Sequence, residues 1–308
     1  MAAVIDQPVV EAPDIQVVKP GIGKRLLRNP SVLIGAALLL LIALMGLCAP
    51  LITQIDPAGI NPSNRNQLPG FESTVRDDDG NKVKSVAVMG TDSLGRDIYS
   101  RVVWGARVSL TVGLVVAVLS VTVGLLIGLV AGYFRALDGV IMRIMDGLMA
   151  VPAILVAIAL VSLSGASLLT VIIAVAIPDI PRVVRLVRSI VLTIREEPYV
   201  EAAVSVGTPT WLILWRHVLP NTIAPLIVQA TFIAGAAILL EAALSFLGVG
   251  IPPEIPTWGN IMAEGRSVFQ ILPHNILYPA AFLTVTVLAI NMLGDGLRDT
   301  LDPRMAVR

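Results

Sequence analysis

Two acidic residues lie inside long apolar stretches, which makes them the first candidates for chemistry. Asp179 lies between two prolines, and Glu241 lies in an apolar stretch of its own. A charge at mid-membrane costs about 2.5–3.5 kcal/mol on insertion scales, so each acid needs a function or a partner. Either could line a pathway or hold an ion. We favour an ion pair with Arg182, three residues on, for Asp179, and a packing role for Glu241.

Other residue types that carry chemistry are scarce. One cysteine, Cys48, excludes an internal disulfide framework and cysteine-based metal cages. The two histidines, His217 and His274, do not form the HExxH pair of a zinc hydrolase. The sequence contains no GxxxxGK[ST] phosphate loop. If ATP drives this protein, we therefore expect the nucleotide and its Mg²⁺ to bind a partner subunit, and we expect no cofactor on this chain.

The composition is that of a membrane protein. Of 308 residues, 56% are hydrophobic and only 14% are charged, and the mean hydropathy is +0.84. Soluble domains are nearer 45–50% apolar and roughly 25% charged. The 22 basic residues balance the 22 acidic ones, which argues against a nucleic-acid partner.

Six apolar runs are long enough to cross a bilayer, which takes about 20 residues each. They cover residues 31–52, 108–134, 144–163, 168–190, 223–249 and 276–293. This pattern predicts an all-α integral membrane protein with six transmembrane helices. The predicted divisions are a tail (1–30), a first transmembrane helix (31–52), an outer loop with a short surface helix (53–107), a five-helix core (108–298) and a second tail (299–308).

The distribution of Lys and Arg predicts the orientation. With the N-terminus in the cytoplasm, almost all basic residues of the tails and short loops fall on the cytoplasmic side. Among the short loops, the opposite side holds only Arg266. We therefore expect both termini to be cytoplasmic.

The cytoplasmic connector at 195–221 is the most informative segment. Two acids ahead of Pro198 favour a helix start, and Gly207 ends that helix. Thr208-Pro209 then predicts a second short helix, which Pro220 ends. Small side chains on the first helix would let another protein approach closely; an ordinary amphipathic connector is the equal alternative. A second Glu-Ala-Ala at Glu241 lacks matching neighbours, so we identify no internal repeat.

Two further patterns predict packing and an outer surface. Glycines four apart, at 124, 128 and 132, favour close helix packing within the chain over a role in lining a pathway. Residues 90–107 predict a short helix on the outer membrane surface, with Asp97 and Arg101 as an i,i+4 pair. Residues 71–89 predict a hairpin that turns at Asp79-Gly80 and serves as a lid or receives a delivery protein.

Four segments together resemble a known family. Glu201-Ala202-Ala203 with Gly207 and HVLPN at 217–221 resembles the EAA loop of importer-type ABC permeases. The other segments are GTDSLGRDIYSRVVWGARVSL (90–110), ILLEAALSFLGVGIPPEIPTWG (238–259) and NMLGDGLRDTLDPR (291–304). From Met89 to Arg304 the chain is similar to the dipeptide/oligopeptide/nickel permease family, in particular its second permease subunit.

The resemblance implies the type I ABC importer permease fold in a bacterial inner membrane. It implies a homologous permease as partner in a heterodimer, two cytoplasmic ATPase subunits and an extracytoplasmic binding protein. The residues it assigns to ATPase coupling are Glu201, Ala202, Ala203, Gly207, His217 and Pro220. Val204 stands where this branch often has arginine, so one polar contact with the ATPase would be missing. Asp179 and Pro181 stand near positions where the family often has Trp and Ala.

Other functions stay open on the sequence alone. An ion-coupled secondary carrier would use Asp179 and Glu241 as its ion or proton site, and a membrane scaffold would make the resemblance accidental. The substrate is equally open: dipeptides, longer peptides, glutathione-like compounds and nickel complexes all fit the resemblance.

Overall fold

The computed structural model describes residues 22–76 and 82–301. These residues form helices and one two-stranded hairpin. In chain order the elements are α1 (Ile22–Leu26), α2 (Pro30–Leu47), α3 (Ala49–Ile52), β1 (Phe71–Arg76), β2 (Lys82–Ala87), α4 (Ile98–Tyr133), α5 (Arg135–Met149), α6 (Ala153–Ser164), α7 (Leu168–Ala176), α8 (Ile180–Arg195), α9 (Pro198–Ser205), α10 (Thr210–Ile213), α11 (Leu219–Phe246), α12 (Trp258–Gly265) and α13 (His274–Leu301).

Four helices in the described part of the chain are long and apolar enough to cross a membrane. They are Pro30–Leu47, Ile98–Tyr133, Thr210–Phe246 and His274–Leu301. The pair α5 and α6, bent by 86° at a short break, makes a fifth if it counts as one span. The predicted fourth span, 168–190, corresponds to α7 and the first part of α8, and these helices do not reach the same length and apolarity. A mostly helical membrane architecture is confirmed, whereas the number six stays a prediction.

The first predicted span is divided near its end. α2 begins after Asn29, whose side-chain oxygen accepts the N–H of Ser31 at 2.9 Å and caps the helix. It ends at Leu47, and α3 follows after Cys48 with Pro50 in its first turn. Proline has no N–H to continue the helix, which explains why 31–52 is two helices rather than one.

α4 corrects the prediction of a separate surface helix at 90–107. It begins at Ile98 and runs unbroken for 36 residues, through the predicted domain boundary at residue 107. The chain contains no proline between Ile98 and Tyr133 that would end the helix there. The outer segment is therefore the first part of a long central helix that also crosses the bilayer.

Close packing of α4 against α8 confirms the role expected for the spaced glycines. A Cβ on Gly128 would lie 2.7 Å from the Cβ of Val187, which is closer than carbon atoms can approach. The same relation holds at two further pairs, Gly124 with Val183 and Gly132 with Val191. The glycines let the two helix backbones approach, and this buries the valine face of α8 in the main apolar core.

The hairpin forms as predicted. β1 pairs antiparallel with β2, from Phe71 opposite Ala87 to Arg76 opposite Lys82. The predicted turn at Asp79-Gly80 lies outside the described residues, as do the outermost parts of the two tails.

Candidate functional site

The connector between α8 and α11 is built around the short helix α9. α9 begins at Pro198 with Glu197 as its N-cap, as the two acids before a proline predict. Proline suits this position because the first N–H groups of a helix have no intrahelical partner. α9 is therefore set off from α8 by a fixed turn rather than by a flexible linker.

The end of α9 is closed by backbone hydrogen bonds. The N–H of Thr208 donates to the carbonyl of Ala203 at 3.0 Å, and the N–H of Gly207 donates to Val204 at 2.9 Å. These two bonds define a Schellman motif, which requires a left-handed residue after the cap. Gly207 supplies it with φ +79°. The predicted stop at Gly207 is confirmed.

α9 is held on one side and open on the other. Val200 is 1% exposed and joins the main apolar core, together with Ile213 and Val218 from the next helix. Glu201 and Ala202 are exposed and Ala203 is half-buried. The small side chains therefore leave an exposed face on a helix whose opposite side is packed in the core.

The second half of the connector differs from the prediction. Pro209 rather than Thr208 precedes the helix as its cap, with no side-chain hydrogen bond. The helix does not end at Pro220, because α10, a π-helical turn at Leu214–Val218 and α11 run continuously over Thr210–Phe246. Pro220 lies in the first turn of α11, directly after the π turn. The Nδ2 of Asn221 donates to the carbonyl of His217 at 2.7 Å, which supplies a polar partner beside the proline.

His217 lies between the two halves of the connector. Its ring is half-buried, with its centre 5.8 Å from that of Tyr199 at the start of α9. This contact joins α9 to the beginning of the long helix. A displacement of α9 would thus reach α11 through side-chain packing as well as through the chain.

Asp179 is paired, as the sequence predicts. The Nη1 of Arg182 donates to Asp179 Oδ1 at 2.8 Å, and the acid is buried while the arginine is largely exposed. Two further arginines of α8 reach acids of α5: Arg185 pairs with Asp146 and Arg188 with Asp138. The face of α8 opposite its valines is therefore held by ion pairs.

Glu241 is fully buried in α11 and has local partners. Ser245 Oγ donates to Glu241 Oε1 at 2.8 Å and accepts the N–H of Ile251 at 3.3 Å. The other carboxyl oxygen, Oε2, has no hydrogen-bond partner among the described residues. The two acids of the predicted spans thus lie apart in the fold, Asp179 directly before α8 and Glu241 in α11, with separate partners. Within residues 22–76 and 82–301, no cluster of His, Cys, Asp and Glu could hold a metal ion.

A buried ion cluster at the start of α4, in the predicted outer region, was not predicted. Arg96 Nε lies 2.7 Å from Asp92 and its Nη2 donates to Glu264, while Arg101 Nη2 lies 3.3 Å from the same glutamate. Arg101 is completely buried. The predicted pair of Asp97 with Arg101 is wrong: Asp97 instead caps α4 by accepting the N–H of Ser100 at 2.7 Å.

The cluster ties the start of α4 to α12. More than 160 residues separate Glu264 from its two arginines, so no local spacing in the sequence could have identified it. The contacts of this cluster fix the predicted outer loops relative to the helices.

Asp97 caps α4 and lies outside the cluster. Burial raises the pKa of Asp97 to about 6, against the lowering effect of the Ser100 hydrogen bond.

A cleft of about 620 Å³ opens beside the connector, among α8, α11 and α13. It is lined by Leu186, Pro220, Asn221, Ala224, Pro225, Val228, Gln229, Phe232, Arg298 and Leu301. Pro220, one of the predicted coupling residues, therefore lies on the wall of a cavity rather than on α9.

Two family models match the chain. Residues 108–307 match the model of the binding-protein-dependent transport system inner membrane component. Residues 22–69 match the model of the N-terminal TM domain of oligopeptide transport permease C. Together they cover both sides of the outer hairpin.

Curated relatives are similar over most of their length. A probable peptide ABC transporter permease protein, y4tQ of Sinorhizobium fredii, is 50% identical over 277 residues, which is 90% of each chain. The dipeptide transport system permease protein DppC of Alkalihalophilus pseudofirmus is 42% identical over 92% of this chain and 88% of its own. The glutathione transport system permease protein GsiD of Pectobacterium atrosepticum is 44% identical over 70% of this chain and 72% of its own.

A solved structure shares the fold. A chain of the MetNI methionine ABC transporter, in an inward-facing conformation, superimposes with a TM-score of 0.54. The match covers 67% of this chain and 98% of that one, at 18% sequence identity. The similarity lies in the arrangement of helices.

Proposed function

The chain belongs to the binding-protein-dependent transport system inner membrane component family, and from this membership we propose how it is driven and what it carries. It is a permease subunit of an ABC importer with several membrane-spanning helices. The proposed cargo is peptides or related solutes, because relatives covering most of this chain are named for peptides, dipeptides and glutathione.

The observation that carries the proposal is the open face of α9. Val200 fixes one side of this helix in the core, while Glu201 and Ala202 are exposed on the other. A cytoplasmic ATPase subunit that bound this face would transmit force to a helix whose C-terminus is closed by the Schellman motif and whose other side is packed in the core. Val204 is exposed beside them and offers the ATPase an apolar contact.

Transmission from α9 follows two routes in the proposed mechanism. One is the ring contact between Tyr199 and His217, and the other is the continuous helix Thr210–Phe246. To move an inward-open state from 99:1 to 1:99 takes about 5.5 kcal/mol of differential binding. Closure of two ATPase subunits on Mg-ATP is a sufficient source, and the ATP is hydrolysed on those partners.

The proposed assembly contains two different permeases. This chain pairs with a homologous second permease, and the pathway runs between them. An extracytoplasmic binding protein delivers the solute to the outer loops, which the ion cluster at Glu264 holds in place. Both termini and α9 face the cytoplasm, as the basic residues of the short loops favour. An ion-coupled carrier is not supported, because Asp179 is paired with Arg182 and the named relatives are ABC permeases.

The test is whether α9 is required for ATPase attachment. The chain is co-expressed with the second permease and the ATPase subunits encoded by neighbouring genes, and the complex is purified into nanodiscs. Glu201→Lys is expected to lower ATPase co-purification and solute-stimulated ATP hydrolysis. Glu72→Lys makes the same charge change at an exposed residue of the outer hairpin and should leave ATPase attachment unchanged. Equal ATPase attachment in both variants would contradict the proposal.

A further inference from the structure

Two of the four tryptophans of the chain differ from the others in their surroundings. Trp258 is fully buried and donates its indole N–H to the carbonyl of Val102 at 3.1 Å. Trp104 donates to Thr53 at 3.0 Å. Trp211 and Trp215 are 68% and 69% exposed, and neither indole N–H has a partner among the described residues. A large amphipathic side chain in this state has both its ring and its donor available to an outside partner.

The two exposed tryptophans lie on one face of a helix that enters the membrane. They are four residues apart in the continuous helix Thr210–Phe246. The exposed apolar residues Ile223 and Ile227 follow further along the same helix. The opposite face is buried, at Ile213, Val218, Thr222 and Leu226.

The π turn keeps these two faces apart. Ile213 and Val218 are five residues apart across Leu214–Val218, and the next buried positions follow at intervals of four. The extra residue of the π turn therefore keeps the buried positions towards the core as the helix passes from the connector into the span. As a result, the tryptophans remain on the outward face together with Ile223 and Ile227.

The chemistry of this face matches a membrane interface. Tryptophan is enriched at the boundary between headgroups and acyl chains, where its ring is apolar and its N–H meets polar groups. Four residues of helix rise about 6 Å, and each interfacial layer of a bilayer is roughly 5–8 Å thick. Arg216, exposed beside Trp215, adds a positive charge that suits anionic headgroups.

We propose that Trp211 and Trp215 anchor the start of the α10–α11 helix in the headgroup layer of the membrane leaflet nearest α9. The anchor fixes the depth of this helix end, so that a push on α9 tilts α11 instead of sliding it along its axis. The inference rests on the proposed function for the push on α9 and for the identity of that leaflet as the cytoplasmic one, whereas the anchoring itself does not.

The experiment measures lipid contact at each tryptophan. The complete complex is labelled with fluorinated tryptophan in nanodiscs, and fluorine NMR signals are assigned by their loss in Trp211→Phe and Trp215→Phe. Lipids carry a nitroxide either at the headgroup or near the acyl-chain end; the same lipids with the nitroxide reduced are the control. We expect the headgroup nitroxide to cause the larger loss of intensity for both signals, with the ATPase subunits bound.

Two results would overturn the anchor. One is loss of intensity from a water-soluble nitroxide alone; the other is protection from the lipid nitroxides, which would indicate that an ATPase or the second permease covers the pair. The same measurement on Glu201→Lys separates this inference from the proposed function. If that variant retains its ATPase subunits while the headgroup nitroxide still broadens both signals, the coupling proposal fails and the anchor stands.

Discussion

The chain contains the sequence Glu-Ala-Ala-X-Ser twice, at 201–205 and at 241–245, and the two copies occupy opposite environments. Both copies end in the same backbone structure. In the second, the N–H of Val249 donates to Leu244 at 3.1 Å and that of Gly248 to Ser245 at 3.0 Å. Gly207 and Gly248 have φ values of +79° and +82°. Each copy is thus followed by a left-handed glycine that closes its helix, two residues after Ser205 and three after Ser245.

The side chains of the two copies have different partners. Glu201 is exposed, and Ser205 Oγ bonds only to the backbone carbonyl of Glu201 at 2.9 Å. Glu241 is fully buried, and Ser245 bonds its carboxyl group. The first copy makes up most of the eight-residue helix α9, whereas the second ends the 28-residue helix α11. What covers the motif therefore decides whether it is available to a partner or holds the protein together.

The largest difference is expected from reversing the charge of the glutamates. Glu241→Lys places an ammonium group in a fully buried site beside the Ser245 hydroxyl. A buried charge without an opposite charge beside it is strongly unfavourable, so we expect loss of folded protein. Glu201→Lys should leave the unfolding midpoint in detergent unchanged and lower ATPase attachment. The size-exclusion profile and the thermal unfolding midpoint are measured for both variants. Equal unfolding midpoints would contradict this prediction.

A second contrast concerns the alanine that follows each glutamate. Ala242 is buried against the backbone of α12, where a Cβ on Gly259 would lie 2.7 Å from Ala242 Cα. Ala242→Leu overpacks this contact and should cost about 3 kcal/mol, the upper end for such changes. Ala202→Leu adds the same atoms to an exposed position.

We therefore expect Ala202→Leu to leave unfolding unchanged while it blocks close approach of the ATPase. Thermal unfolding is read beside ATPase co-purification for both variants. A destabilised Ala202→Leu protein would show that α9 is covered within this chain, contrary to its exposure.

The serine pair should give a smaller contrast. Ser245→Ala removes the donor to Glu241 and the acceptor of the Ile251 N–H, and leaves buried polar groups unpaired. Such a loss costs about 1–2 kcal/mol. Ser205→Ala removes an exposed bond within one helix and should change stability by less than about 0.5 kcal/mol. Chemical unfolding of the two variants in mixed micelles gives the difference in unfolding free energy. A larger loss of stability in Ser205→Ala than in Ser245→Ala would refute the prediction.

Local features of this chain were predictable because neighbouring residues determine them. Pro198 after two acids, Gly207 as a stop and the pair of Asp179 with Arg182 all depend on residues a few positions apart. The glycine stripe of α4 was identified from spacing alone, although its partner valines on α8 were not. The hairpin was predicted from the turn signal at Asp79-Gly80, and its two strands pair as expected.

Features that depend on distant residues or on continuity were missed. Arg101 pairs with Glu264, 163 positions away, whereas the sequence suggested the neighbouring Asp97. The prediction that Pro220 ends a helix failed because a π turn lies directly before the proline and the helix continues through it over Thr210–Phe246. The different environments of Glu201, in a connector, and Glu241, in an apolar run, were predicted, whereas the shared Glu-Ala-Ala-X-Ser pattern and the hydrogen bonds of Ser245 were missed.

The last comparison should show no difference in stability. Gly207→Ala and Gly248→Ala each force a left-handed residue with a Cβ, which costs about 1–2 kcal/mol. A Cβ at either position would meet no atom within 4 Å, so the backbone strain is the whole cost and should be equal. Unfolding midpoints of the two variants test this equality. We expect ATPase attachment to fall only in Gly207→Ala, because only Gly207 follows the exposed copy. A larger loss of stability in Gly248→Ala would mean that burial, rather than the shared Schellman motif, determines the cost.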